Sequence, residues 1–330
     1  MVNLALIGIG YWGNNLLRNL LRVPDANVNV LCDIRPEALN GLGEKVPGAV
    51  LVQDAAQAMR HPGLQAVVIA TPADSHFELA MQALQQGLHV LVEKPMTMRL
   101  EQAEQLQAEA VRVGKTLMID QTCIYTPAME HLRAMLQTGE RQFRTLSSVR
   151  MGPYAFRREV NILEDVGVHD LAILDYLTGG KMPERITATG AAWLPDWPIA
   201  EAVLNLDYGE GCFATIHVSW LCPEKNQYIR VNFSDGLAIC EEQKAENKLR
   251  IYDWQADEAR SRPEQYRYQL ANPITPHVPG GETLLNMCSH YIDCIETGSV
   301  PRSDGAMGVR LARILEASHR SLASRSAVAP

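Results

Sequence analysis

The chain has no C-x-x-C pair, no dense Lys/Arg cluster, no internal repeat and no apolar stretch near the ~20 residues that span a bilayer. Its seven cysteines, Cys32, Cys123, Cys212, Cys222, Cys240, Cys288 and Cys294, are odd in number and scattered. That pattern suits reduced thiols rather than a disulfide framework, and no metal site is expected. Thirty basic residues against 38 acidic ones leave a formal charge of −8, which offers no footprint for nucleic acid or an anionic membrane. The opening Met1-Val2-Asn3-Leu4-Ala5-Leu6 carries neither a basic n-region nor a small-residue cleavage site, so a soluble, cytoplasmic protein is expected.

What is present is apolar patterning enough for two cores: 47% of 330 residues are hydrophobic. Short Val/Ile/Leu-rich runs at Leu4 to Ile7, Val28 to Leu31, Val50 to Val52, Ala66 to Ile69, Leu88 to Val92 and Thr116 to Ile119 alternate with helical stretches. They read as strands buried on both faces, the grammar of a doubly wound parallel sheet, so residues 1–120 are assigned to a Rossmann domain. From 121 to 330 a second α/β domain is expected. Its strand candidates run from Thr145 to Tyr252, with a hairpin signal at Ser234-Asp235-Gly236 and no crossover helix between most of them. This sheet should be large, open and mainly antiparallel, followed by two closing helices. The stretch from Asn272 to Pro279 reads as a loop.

Gly8-Ile9-Gly10-Tyr11-Trp12-Gly13 follows the first strand and opens the first helix, the context in which G-x-G-x-x-G binds a dinucleotide. Gly8 allows the tight turn, Gly10 the approach of a pyrophosphate, and Gly13 close helix–strand packing. Twenty residues beyond Gly13, Asp33 ends the second strand, where a carboxylate accepts hydrogen bonds from a ribose diol. Asp33 favours NAD, while Arg35, beyond Ile34, leaves NADP open by offering a cation to a 2′-phosphate. Ala70-Thr71-Pro72 ends the fourth strand and should line the cofactor. His76 opens the next helix, where it either packs locally or contacts the cofactor.

Glu93-Lys94-Pro95 follows the fifth strand, at the edge where open α/β sheets bind ligands. Its charges are either solvated loop residues or a working site. Asp165 and His169, spaced i, i+4, point from one helix face; otherwise Asp165 is a dipole-compensating residue and His169 a packed one. Arg150, Arg157, Arg158 and Asn161 precede that helix and form either an anion-binding cluster or a solvated loop.

In this order the glycine loop, Ala70-Thr71-Pro72 with His76, Glu93-Lys94-Pro95 and Asp165-x-x-x-His169 resemble the glucose-fructose oxidoreductase/inositol dehydrogenase/MocA (Gfo/Idh/MocA) family, over essentially the whole chain. The resemblance implies hydride transfer between nicotinamide and a carbohydrate carbinol. Lys94, Asp165 and His169 would be the catalytic residues. Asp170, the acid beside the histidine, is a departure from that pattern that can equally face solvent. Tyr125, before Pro127, stands where such proteins place a substrate- or nicotinamide-facing aromatic, or packs in the core. Glu93 would orient Lys94 or contact the nicotinamide ribose. Glu282 and His290 fall on the closing helix, with structural roles expected.

Near neutral pH an imidazole suits removal of the hydroxyl proton, and Lys94 suits stabilisation of the substrate oxygen, although a lysine can also serve as the base. The expected substrate is a sugar, sugar acid, inositol or nucleotide-sugar, and Lys94, Tyr125, Arg150, Arg157, Asn161, Asp165 and His169 would contact it. A homodimer or homotetramer through the second sheet is expected, with neither nucleic acid nor membrane as partner. Two rival readings are a glycosidase using transient C3 oxidation on bound NAD, and a dinucleotide-binding regulator without turnover.

Overall fold

The computed structural model describes the chain except for residues 245, 258–261, 263, 264, 266 and 279. It divides into two compact units. The first comprises 1–125 and 281–313; the second comprises 126–280 and 314–330.

In the first unit six parallel strands, β1 (Val2–Ile7), β2 (Ala26–Cys32), β3 (Val50–Val52), β4 (Ala66–Ile69), β5 (His89–Val92) and β6 (Leu117–Ile119), lie in the order β3-β2-β1-β4-β5-β6. The chain adds strands to one side of β1 and then, from β4, to the other, which makes β1–β4 the switch point where open sheets leave a crevice at their carboxyl ends. The strands are apolar on both faces because helices cover both, and Leu4, Leu6, Val67, Ile69, Val90 and Val92 are all buried. The helices are α1 (Tyr11–Leu20), the short α2 (Leu42–Lys45) and α3 (Ala55–Met59), α4 (His76–Gln85) and α5 (Leu100–Val113). The chain returns here after the second unit. Helix α8 (Thr283–Thr297) packs on α1, and the Tyr291 hydroxyl donates to the Val67 carbonyl at 3.3 Å. Residues 281–313 therefore belong to the first unit rather than the second, and the boundary expected at 120 falls at 125.

The second unit is built on eight strands, β7 (Phe143–Pro153), β8 (Arg185–Ala191), β9 (Glu201–Asp207), β10 (Phe213–Ser219), β11 (Leu221–Phe233), β12 (Gly236–Cys240), β13 (Leu249–Ala256) and β14 (Tyr268–Leu270). Their order is β14-β13-β12-β11-β7-β10-β9-β8, antiparallel throughout except for the parallel pair β7–β10. The Ser234-Asp235-Gly236 signal is the β11–β12 turn. Helix α6 (Pro127–Gln137), which the strand reading passed over, starts with Pro127 after Thr126, whose hydroxyl accepts the Met129 N–H at 3.2 Å. It packs on α7 (Val168–Thr178), a helix buried nearly all round by Val168, Leu171, Ala172, Ile173, Leu174 and Leu177. In the stretch 272–279, Pro279 lies outside the described residues, and Ile274 bridges to Ile251.

The last helix, α9 (Gly305–Ser324), gives its final turns to the second unit. There His319 pairs with Glu164 at 2.6 Å, and Glu164 also accepts the Asn161 N–H at 3.1 Å. The hydrogen bond to Glu164 raises the His319 pKa above 6.5, against desolvation, with the charges of Glu164 and Glu316 adding to it. Folded His319 thus binds its proton more tightly than the unfolded chain does. The resulting stabilisation is complete below 6.5 and disappears as pH rises through the raised value. His319→Gln should therefore melt below the parent at about pH 6 and approach it at about pH 9; an equal gap at both would contradict the assignment.

Candidate functional site

The carboxyl edge of the first sheet is set by one recurring backbone bond. Beyond each of five strands, the next residue donates its N–H to a neighbouring strand's last carbonyl: Gly8 to Cys32 (2.8 Å), Asp33 to Val52 (3.3 Å), Ala70 to Ile7 (2.8 Å), Glu93 to Ile69 (2.9 Å) and Asp120 to Val92 (2.8 Å). The first four are residues singled out from sequence. The fifth, Asp120, was not, although it follows its strand as Asp33 follows β2.

The glycine loop fits a dinucleotide for three separate steric reasons. Gly8, at φ +92°, lies so near Ala70 that a Cβ would come within 2.7 Å of its carbonyl. A Cβ at Gly13 would collide with the Gly8 carbonyl oxygen. Gly10, by contrast, has nothing within 4 Å of where its Cβ would stand. The chain's own packing does not require glycine there, whereas a pyrophosphate approaching the backbone would. The first N–H groups of α1 have no partner within the helix, which makes a helix start of this kind a ready site for phosphate.

Asp33, 6% exposed, braces the loop by accepting the Ile9 N–H at 2.8 Å. Its other bonds come from Arg35, through the backbone N–H at 2.9 Å and the guanidinium at 3.1 and 3.2 Å. Burial pushes the Asp33 pKa up, but these hydrogen bonds outweigh it and hold the carboxyl below the usual range. A ribose diol reaching Asp33 would take the place of the guanidinium contacts, and the Arg35 side chain, 55% exposed, has room to move away. Ile34 and Tyr11 are exposed at 81% and 86%. Trp12 instead turns its indole N–H to Asp120 at 2.6 Å.

His76 is buried and holds two segments of the edge together, with Nδ1 2.8 Å from the Pro95 carbonyl and Nε2 2.9 Å from that of Thr71. With both ring nitrogens so placed, His76 takes the packing role of its two readings rather than the cofactor contact. Desolvation lowers its pKa, against those two hydrogen bonds. The Thr71 hydroxyl accepts from Ser75 at 2.7 Å. At the end of β5 the Glu93 carboxylate accepts the Lys94 N–H, and the Lys94–Pro95 peptide is cis.

In the second unit Asp165 lies on a π-helical turn, Leu163–Gly167, that leads into α7 and replaces the regular α-helix assumed from sequence. Such turns often occur at functional sites. From 161 through 175 only Asn161, Asp165 and His169 retain partial exposure, so Asp165 and His169 do share the accessible side of an otherwise buried segment. Asp165 accepts from Arg157 at 3.3 Å and from the Trp220 indole at 3.1 Å, and Phe156 packs 5.5 Å from Trp220. Arg158 stacks 4.4 Å over Trp197. The Asn161 side chain accepts the Leu163 N–H at 2.7 Å and contacts His319 at 3.2 Å, a capping role at the start of the turn.

Three expectations are corrected. Asp170 does not face solvent: it is 1% exposed, accepting from Ser148 at 2.5 Å and from Arg150 at 2.8 and 3.2 Å. Arg150 is thereby the counter-ion of a buried carboxylate rather than a loop cation. Tyr125 is fully buried, its hydroxyl 3.0 Å from Ser303 and its ring under Arg302, so it packs in the core and does not face a substrate. Glu282 pairs with Arg22 at 2.6 Å, and His290 accepts the Arg302 N–H at 3.1 Å. Sequence reasoning also missed Tyr154, whose hydroxyl accepts from Gln227 at 2.5 Å and which feels the charges of Arg150, Asp170 and Asp165.

Residues 2–121 match the Gfo/Idh/MocA model described as an oxidoreductase family with NAD-binding Rossmann fold, and 147–239 match the Gfo/Idh/MocA C-terminal domain. The D-apiose dehydrogenase of Paraburkholderia graminis is 27% identical over 331 aligned positions, 96% of this chain and 86% of that one. The UDP-N-acetylglucosamine 3-dehydrogenase of Acidithiobacillus ferrooxidans is 31% identical over 191 positions, 57% of this chain and 58% of that one. The solved structure of the latter shares the fold, with a TM-score of 0.81 at 22% identity over 98% of both chains.

The three glycines should separate on substitution. Gly10→Ala should keep the parent melting temperature and weaken NAD binding about tenfold or more, whereas Gly13→Ala should lower both; calorimetric titration and thermal melts read the two effects.

Proposed function

Because the chain belongs to the Gfo/Idh/MocA family of NAD-binding oxidoreductases, we propose that it moves hydride between nicotinamide and a secondary alcohol of a sugar, sugar acid, inositol or nucleotide-linked sugar. The observation that carries this reading is the open space at Gly10, where glycine answers to no contact of the chain itself. Gly8, Gly10, Gly13 and the start of α1 would hold the pyrophosphate and Asp33 the adenosine ribose. Bound NAD supplies a hydride acceptor at nicotinamide C4. The chain supplies the rest.

Oxidation of a carbinol requires that the hydroxyl proton be taken up and the charge developing on oxygen be stabilised. His169 is assigned the proton and Lys94 the oxygen. Asp165, held by Arg157 and Trp220, either orients His169 or accepts from a neighbouring hydroxyl. Arg157, its side chain 58% exposed, remains the cation of the segment best placed for an acidic substituent, since Arg150 is committed to Asp170. The named relatives act on D-apiose and on UDP-N-acetylglucosamine, which supports a carbohydrate as the substrate class. The reading includes self-association through the open face of the second sheet, where Phe213, Tyr228 and Trp254 stand exposed.

Lys94→Ala and His169→Ala should each lower kcat about 10²- to 10⁴-fold on whichever polyol or sugar supports NADH formation, with NAD affinity nearly unchanged. Normal turnover in both would sink the assignment, and turnover of a chromogenic glycoside without net NADH would favour the glycosidase reading. With Asp33 intact, NADP should be used at least about tenfold less efficiently than NAD, and Asp33→Ser should narrow that ratio in steady-state assays.

A further inference from the structure

Asp120 has no part in the chemistry above, yet it is a more deeply buried carboxylate than Asp33 on the same edge. It directly follows β6, and its N–H bond to Val92 sets it beside the strand end that carries Glu93 and Lys94. At 3% exposure a carboxylate must find its compensation inside the protein. The Trp12 indole N–H supplies one hydrogen bond at 2.6 Å, and the Thr122 backbone supplies another. The positive charge that acts on it is that of Lys94.

Several titrating groups act around this pair among the described residues. Burial raises the Asp120 pKa to about 6, against the hydrogen bond from Trp12, the charge of Lys94 and the Thr122 N–H. From α8, Cys288 feels Asp120, its thiol pushed up first by burial and then by that charge. On the Lys94 side stand Glu93, whose carboxylate bonds the Lys94 N–H, and buried His76, whose protonation the charge of Lys94 opposes. Asp120 is thus a buried anion beside Lys94, and a short indole bond anchors it to the second residue of α1.

We propose that Asp120 is the positioning residue of Lys94: anchored by Trp12, its carboxylate holds the lysine ammonium directed along the carboxyl edge. The functional weight of this inference rests on the role assigned to Lys94 above, while its physical content does not. It also ties the lysine to the nucleotide loop, since Trp12 lies between Gly10 and Gly13. Whatever shifts the start of α1 shifts the anion that Lys94 depends on.

Asp120→Asn keeps the size and an acceptor oxygen for Trp12 while removing the charge. Competitive acetylation with acetic anhydride across pH, read at Lys94 by mass spectrometry with Lys115 as internal reference, reports the ε-amine directly and needs no substrate. The Lys94 midpoint should fall by about one unit or more, so that about tenfold more Lys94 is labelled at a pH well below that midpoint. Trp12→Phe, which releases the Asp120 carboxylate from its anchor, should shift it the same way by less. The Asp120→Asn melting temperature at alkaline pH should not fall below the parent's, because a buried charge has been removed; a purely structural role would lower it and leave the labelling curve in place.

A Lys94 curve unchanged in Asp120→Asn, or in Trp12→Phe should the first variant not fold, overturns the inference. The outcomes stay distinct from those of the catalytic reading. Full turnover in Lys94→Ala would refute the role of Lys94 while leaving a labelling shift intact, and an unmoved curve beside an inactive Lys94→Ala would refute only the role of Asp120.

Discussion

The row of backbone hydrogen bonds one residue beyond the parallel strands is the constraint from which the first unit follows. It holds Gly8, Asp33, Ala70, Glu93 and Asp120 level at one edge, each immobilised by its own main chain before any side chain acts. Gly13 then brings α1 against the Gly8 carbonyl, which only a residue without a Cβ permits, and Asp33 fixes the turn between them through Ile9. The loop is therefore shaped by the protein itself. A dinucleotide entering it would have little ordering left to impose, and preorganisation of that kind conserves binding free energy.

Both units place a buried carboxylate close to a residue assigned to chemistry. In the first unit Asp120 lies beside the Lys94 strand end; in the second Asp170 immediately follows His169 and is clamped to β7 by Ser148 and Arg150. A buried anion that loses its partner is strongly destabilising, so such pairs resist displacement. The first turn of α7 is thereby pinned to the sheet while the stripe of Asn161, Asp165 and His169 stays partly open. Rigidity beneath an accessible side chain is what a positioned acid or base requires.

The parallel sheet was legible because its strands are short, apolar on both faces and separated by helical periodicity, and the glycine loop because its steric demands are local. Asp33 and Lys94 could be placed by their offset from a strand end. Asp120 has the same offset but belongs to no spacing motif, and a lone acid after a strand reads as a loop charge. Tyr125 and Asp170 were misplaced because burial depends on partners outside the local sequence: Ser303 lies 178 residues from Tyr125, and Ser148 and Arg150, which meet Asp170 of α7, come from strand β7. The π-helical turn at Leu163–Gly167 leaves no mark in the sequence, because a single wider turn is too short to set a spacing of its own. Helix α6 was overlooked although Thr126-Pro127 is a legible start, a capping residue followed by proline at the first helical position.

The first unit is discontinuous in the chain, with α8 laid on α1 only after some 155 residues, 126–280, of the other unit have intervened. On the ribosome, the nucleotide-binding half can therefore begin to fold early but cannot close until residues 281–313 emerge. Until then the surface of α1 and the Val67 carbonyl that meet α8 and Tyr291 stay uncovered, exposed to solvent or to chaperones. The protein is thus bound to complete its two halves almost together, and a fragment ending at the first boundary would carry the whole dinucleotide fingerprint without the helix that seals it.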